Sequence, residues 1–386
     1  MISFFRRFSV AKISYPQTSR INESDKLDRS CISKFKNVDR NSFKVFHSPF
    51  LHRDHNRILD LFGDHSYMIR KQFIEAVEIV EDIEKIQKQM TNKIVPKILF
   101  HGEPGCGIST ILSSLNEHLS SKNHLVFSFS WMEGYLKRVG DLSLSNEIHH
   151  EKNPHISGEI FDFPERSAAW LKSFVEMNKK ILERENPVLS TDVVWSAKEN
   201  SPRGSSWLEM IEFCSTRIKF STDCIGILLR EARYFSSKSE SAPPFSLVLD
   251  GINAMWCRGT ILKDTKGNKL GVDRIALFMH LKRALKADWS KGIIIAAPNQ
   301  RAAWFTDREA FDPGYMLTKP GFEAMNPFIP IKVENMTDEE FNQMLRFYSE
   351  NKWLSRDVSY TDTGRKEIEA LSEKNFKELF KVVSEY

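Results

Sequence analysis

The residues Gly102-Glu103-Pro104-Gly105-Cys106-Gly107-Ile108-Ser109 carry the spacing of a phosphate-cradling loop: glycine, four residues, glycine, a lysine position, then serine. In such a loop the backbone N–H groups and the start of the next helix point at phosphate oxygens. Gly105 and Gly107 permit the backbone angles that this nest needs. Ser109 supplies the hydroxyl that sits on magnesium. The lysine position is held by Ile108. An ammonium there bridges the outer phosphates and stabilises charge that develops during transfer, and isoleucine does neither. The loop is therefore equipped to hold a nucleotide and poorly equipped to hydrolyse one. The alternative is a glycine-rich turn between strand and helix with no ligand.

The flanking elements decide how much weight the loop bears. Upstream, Ile94 to Phe100 reads as a short buried strand with Pro96 near its start, where a missing N–H matters least. Downstream, Ile111, Leu112, Leu115 and Leu119 recur at helical spacing, which starts a helix at about Ser109. A second apolar run, Phe245 to Asp250, ends in a carboxylate, the usual way of presenting the magnesium-side aspartate. Hydrolytic relatives of this arrangement often place a glutamate directly after that aspartate, and here the position is Gly251. A third run, Gly292 to Ala297, leads to Pro298-Asn299-Gln300, where Asn299 could sense a terminal phosphate. Each strand alone reads as an ordinary buried strand with a polar end. The three in this order, with the loop, point to an α/β nucleotide-binding domain.

Composition sets outer limits. The chain of 386 residues can bury a sizeable core, and its net charge of +4 is too mild to announce a nucleic-acid protein. No apolar run approaches the ~20 residues of a membrane span, so no membrane partner is expected. The five cysteines, Cys31, Cys106, Cys214, Cys224 and Cys257, show neither zinc-ligand spacing nor a disulfide framework, and reduced thiols are expected. No acid precedes Glu23, while Arg6, Arg7, Lys12 and Arg20 lie among apolar residues and serines. Residues 1–22 therefore read as a mitochondrial presequence, with a flexible basic arm as the alternative.

Residues 23–66 lack periodicity and read as an N-terminal extension that wraps a partner. Its histidines, His47, His52, His55 and His65, match no strong metal-ligand spacing and read as solvated side chains. Residues 67–330 form the expected nucleotide-binding domain. It opens with a helix from Lys71 to Met90, whose stripe of Phe73, Ala76, Val77, Val80 and Ile83 faces the core. Residues of about 140 to 160 read as an exposed loop, and Glu199 to Ser206 as a polar breaker. Residues 331–386 form a smaller helical C-terminal portion.

Further blocks make a resemblance specific. They are Val45-Phe46-His47, Met68-Ile69-Arg70-Lys71, Phe161-Asp162 with Trp170-Leu171-Lys172, Asp250-Gly251-Ile252-Asn253-Ala254-Met255-Trp256, Lys286-Ala287-Asp288-Trp289 and Asn326-Pro327-Phe328-Ile329-Pro330-Ile331. With the glycine loop, these resemble the death-associated protein 3 family, the nucleotide-binding protein of the mitochondrial ribosomal small subunit, from about Val45 to the C-terminus. The resemblance implies a P-loop core of the AAA+ type, a parallel sheet flanked by helices, and a helical C-terminal portion. It implies residence in the head of the small subunit, in the mitochondrial matrix, against small-subunit proteins and facing the large subunit. It further implies a purine nucleotide, GTP or ATP with magnesium, and a link to apoptotic signalling. Gly102 through Thr110 would hold phosphates, Ser109 and Asp250 the magnesium, and Met68-Ile69 would lie near the base. Ile108 departs from the family's lysine.

Two functions follow. The first is a structural ribosomal protein whose nucleotide is a static element, with no enzymatic role. The second is a working NTPase or nucleotide-driven switch in ribosome assembly or apoptotic signalling, and the lysine and glutamate missing from positions 108 and 251 argue against it. The mild charge implies limited contact with ribosomal RNA. Arg29, Lys34, Lys36, Arg40 and Lys44 form the RNA-facing set, with a solvated surface as the alternative.

Overall fold

A computed structural model describes residues 14–22, 26–89, 95–137, 140–145, 159–257, 260–302 and 310–385. Five strands form one sheet: β1 (Lys97–Gly102), β2 (Leu125–Phe129), β3 (Phe245–Asp250), β4 (Gly292–Ala297) and β5 (Ile329–Val333). All neighbouring pairs are parallel, in the order β5-β1-β4-β3-β2. The fold is therefore α/β, with a parallel sheet flanked by helices. Parallel strands buried on both faces are nearly all apolar, which is why β3 and β4 were legible as unbroken apolar runs.

Side chains alternate between the two faces with the period of a strand. Leu99, Phe127, Phe129, Leu247, Leu249 and Ile294 pack on one side against the helices Pro164–Glu185, Trp207–Thr216, Ser221–Lys238 and Ala276–Ala284. Ile98, Phe100, Val126, Val248, Ile293 and Ile295 pack on the other against Lys71–Gln89 and α1 (Ile108–Ser121). The sheet's strand ends, rather than either face, are thus left to bind a ligand.

The helical C-terminal region comprises α2 (Asp338–Glu350), α3 (Asp362–Ser372) and α4 (Phe376–Glu385). Thr337 and Glu340 form a reciprocal capping box that starts α2. The nucleotide-binding domain does not end at Pro330. Ile331 and Val333 point into the core from β5, which lies at the sheet's edge, where Pro330 costs no ladder bond.

Residues 26–66 are part of the folded body, not an arm free to wrap a partner. Phe35, Phe43 and Leu59 share a core with Phe341, Phe347, Leu379 and Val383. Phe35 stacks on Phe347 with ring centroids 4.9 Å apart. Residues 1–13 of the presequence lie outside the described residues, as do 146–158 of the expected exposed loop. Arg20–Ile21 is a short strand paired with Phe35–Asn37, so the last residues of the 1–22 segment belong to the fold. Of the four histidines, His47 is buried, bonded to Glu117 and Ser113. His55 packs on Phe380, and His65 and His52 meet Asp60 and Asp54.

Candidate functional site

Because the sheet is parallel, the C-terminal ends of its strands deliver the loop, the turn after β2, Asp250 and Asn299 to one end of the molecule. Gly105 and Gly107 sit at φ 90° and 99°, the left-handed region that favours glycine. Gly107, which has no side chain, stands at the N-cap of α1, and the N–H groups of the helix's first turn lie at this end of the sheet. Those groups and the helix dipole favour an anion.

Opposite this anion end stands an acidic one. The Ser109 hydroxyl donates to Asp250 Oδ2 at 2.8 Å, joining the loop to the tip of β3. Glu133, four residues past the end of β2, reaches the same place. Asn299 Nδ2 donates to Glu133 Oε1 at 2.9 Å. Asn299 is itself held by Asn253: its N–H donates to Asn253 Oδ1 at 2.8 Å, and Asn253 Nδ2 donates to its carbonyl at 3.0 Å. Glu133 Oε2 is buried and has no hydrogen-bond partner among the described residues. Burial pushes the Asp250 carboxyl up to about 7, the Ser109 bond opposes this, and the nearby Glu133 charge adds to it. Burial likewise pushes Glu133 up.

The Asp250 carboxyl beside the Ser109 hydroxyl makes an oxygen donor pair of the kind magnesium takes, which usually combines one or two carboxylates with phosphate oxygens and water. Beside that pair, Glu133 Oε2 leaves an unanswered acceptor for water. Among the described residues, no group of three or more His, Cys, Asp or Glu could hold a metal without such a phosphate. The residues present therefore fit a phosphate with its cation, although the ammonium of position 108 is missing.

The outer side of the loop is clamped by the C-terminal region. A Cβ on Gly105 would collide with Asn375 Oδ1 and lie 2.6 Å from Lys377 Cβ. Asn375 Nδ2 donates to the Pro104 carbonyl at 3.1 Å, and Asn335 Nδ2 donates to Glu103 Oε2 at 3.1 Å. A Cβ on Gly102 would collide with the Val333 carbonyl. Arg70 is buried beneath the loop, its Nη1 donating to the Cys106 carbonyl at 2.8 Å. Burial also pushes the Cys106 thiol up to about 11, so it stays protonated.

Of the residues read from sequence, Gly102 to Thr110, Asp250 and Asn299 are brought together. Asn299 is engaged with Glu133. Met68 and Ile69 are both buried, Met68 in the core shared with the C-terminal helices and Ile69 beneath the sheet, and they reach the loop through their neighbour Arg70. Glu133 and the clamp residues Asn335 and Asn375 were missed. The signal for Glu133 was slight: an acid in Trp131-Met132-Glu133-Gly134, just past an apolar strand. In the RNA-facing set, Arg29 is paired with Glu78 and Lys36 with Glu117.

A family model described as mitochondrial ribosomal death-associated protein 3 matches residues 67–382. The small ribosomal subunit protein mS29 of Bos taurus is 28% identical over 318 residues, covering 81% of this chain and 74% of that protein. Its Mus musculus counterpart is 29% identical over 323 residues, covering 82% and 76%.

Proposed function

The chain belongs to the mitochondrial ribosomal death-associated protein 3 family, and from that premise we propose that it is a structural component of the mitochondrial ribosome's small subunit, in the head, holding a purine nucleotide as a static element. The relatives matched over about four fifths of the chain are named small ribosomal subunit proteins, which supports a structural role on the mitochondrial ribosome. The observation that carries the nucleotide is the pairing of Ser109 with Asp250 beside a helix start whose N-cap, Gly107, has no side chain.

In this reading Gly102 to Thr110 hold the phosphates through backbone N–H groups, and Met68-Ile69, themselves buried, support the loop through Arg70. Ser109 and Asp250 hold magnesium, whose positive charge offsets the crowded acids. With Ile108 in place of lysine, charge developing on the outer phosphates meets no ammonium, so binding outlasts catalysis. A ligand at a hundredfold its dissociation constant would stabilise the fold by about 2.7 kcal/mol. The partners are small-subunit proteins, large-subunit proteins across the interface and, to a limited extent, ribosomal RNA.

The test is to tag the chain in mitochondria, sediment the ribosomal subunits, denature the small-subunit fraction and chromatograph released nucleotide. Co-sedimentation with stoichiometric GTP, ATP or their diphosphates is expected. A chain absent from the small subunit would overturn the ribosomal assignment. An empty site, unfilled by excess nucleotide and magnesium, would overturn the static cofactor.

A further inference from the structure

We infer that Glu133 is the water-holding carboxylate of the nucleotide site, supplied from the turn after β2 in place of the acid missing at position 251. This rests on the reading that the loop binds a nucleotide. The sequence places Gly251 directly after Asp250, and glycine has no group with which to hold a water molecule. In the folded chain that space is occupied. A Cβ built on Gly251 would lie 2.8 Å from Glu133 Oε2, so the carboxylate stands where the side chain of residue 251 would begin.

Its placement is enforced from three directions. Trp131 adopts φ 53°, a left-handed conformation rare for a bulky residue, and this turn swings Glu133 back over the tip of β3. The Met132 N–H donates to the Asp250 carbonyl at 3.1 Å, tying the turn to that tip. Asn299, from the end of β4, holds Oε1 and leaves Oε2 without a partner among the described residues. One oxygen is thus anchored and the other is available, beside the Ser109–Asp250 pair, for a group the protein does not itself provide. A side chain only 3% exposed with an unanswered acceptor is costly to keep for packing alone.

With a nucleoside triphosphate as substrate, the balance is simple. The water oxygen bonds to the terminal phosphorus as the bond from that phosphorus to its bridging oxygen breaks. The water's proton passes to Glu133 Oε2, and the bridging oxygen leaves with the electron pair as part of the diphosphate. Without a lysine at 108 the step is slow. Asn299 touches Glu133, not the reacting atoms, and is a positioning residue.

The experiment uses the full chain with magnesium and two probes, GTP and ATP, each beside its diphosphate and a non-hydrolysable triphosphate analogue. Glu133→Gln keeps an oxygen for Asn299 to bond but loses the charge. Its analogue-to-diphosphate affinity ratio should rise about tenfold, because a buried negative charge facing the terminal phosphate has gone. After long incubation the parent chain should hold diphosphate and Glu133→Gln triphosphate, with turnover down at least about a hundredfold. Glu133→Asp, with a shorter arm, should keep the parent's affinity ratio and lose turnover, which separates reach from charge and provides a second variant should the first fold poorly. Equal ratios and identical retained nucleotide in parent and Glu133→Gln would overturn the role of Glu133 and leave nucleotide binding standing. Failure of every chain to bind either probe would overturn the binding reading itself, and this inference with it.

Discussion

Arg70 and Glu340, 270 residues apart in the chain, form an ion pair in which Arg70 Nε lies 2.7 Å from Glu340 Oε1, both side chains almost wholly buried. The remaining guanidinium donors are used as well, on the Cys106 carbonyl and on the Glu334 carbonyl at 3.0 Å. The second oxygen of Glu340 accepts the Thr337 N–H in the capping box of α2. One planar five-donor group therefore binds the phosphate loop to the C-terminal helices, and the Phe376 ring lies 5.0 Å beneath it.

Removing one member of such a pair leaves the other buried and uncompensated. Glu340→Ala should cost roughly 3–5 kcal/mol, read as a lower urea midpoint. Arg70→Lys should not escape this loss, because an ammonium cannot span Glu340, Cys106 and Glu334 together. A stable Arg70→Lys chain would show that the charge alone matters.

Restoring the missing ammonium is the converse test. Ile108→Lys should tighten GTP or ATP binding at least about tenfold, about 1.4 kcal/mol, in a titration with magnesium. The stem of a lysine can follow the partly buried path of Ile108, which packs against the core below the sheet. An unchanged affinity would mean that phosphates do not come near this turn of α1.

A pH effect arises away from the site. Asp223 is fully buried, and burial with the nearby Asp162 charge lifts its carboxyl from 3.8 to about 8. The folded chain keeps this proton where the unfolded chain has lost it. The stability it contributes is therefore complete below about pH 4 and is lost as pH rises towards 8. Asp223→Asn removes this titration, so between those limits the parent should lose about 1.4 kcal/mol per pH unit relative to the variant. Urea curves at several pH values check this, and a constant gap between parent and variant would contradict it.

The N-terminal segment offers a test of where a targeting sequence can be cut. The Thr18 hydroxyl donates to Glu350 Oε2 at 2.9 Å, the Ser19 N–H donates to Gln343 Oε1 at 3.0 Å, and Arg20 pairs with Asp64 at 2.7 Å. A chain starting at residue 23 should melt several degrees below one starting at residue 14, at about 2–4 °C per kcal/mol lost. The processed N-terminus from mitochondria, read by mass spectrometry, is accordingly expected to precede Thr18. Equal melting of the two chains would remove that constraint.

Three of the five strands, β1, β3 and β4, were legible because each is a dense apolar run of the right length, and Asp250 and the loop because they punctuate such runs. Glu133 was not legible, since nothing local distinguishes it from a solvated acid. Its role comes from strand order, which sets β2 beside β3 and carries the turn over Gly251. The region 23–66 was misread for a related reason. Phe35 and Phe43 have no helical or alternating spacing of their own, and their partners, such as Phe347, lie some three hundred residues on. The boundary set after Pro330 cuts the proline-bearing edge strand β5, whose pairing with β1 places Ile331 and Val333 inward.

The order β5-β1-β4-β3-β2 also governs how the molecule is made. The strand before the phosphate loop is complete by Gly102, yet both its neighbours are encoded after residue 291. Until that last quarter of the chain has emerged, β1 exposes two unpaired edges and the loop has no clamp. Distant pairing of this sort slows folding and leaves apolar strand surface open to aggregation. A chain drawn through a membrane from its N-terminus would meet the same delay, so its binding site can be assembled only at the end of the journey.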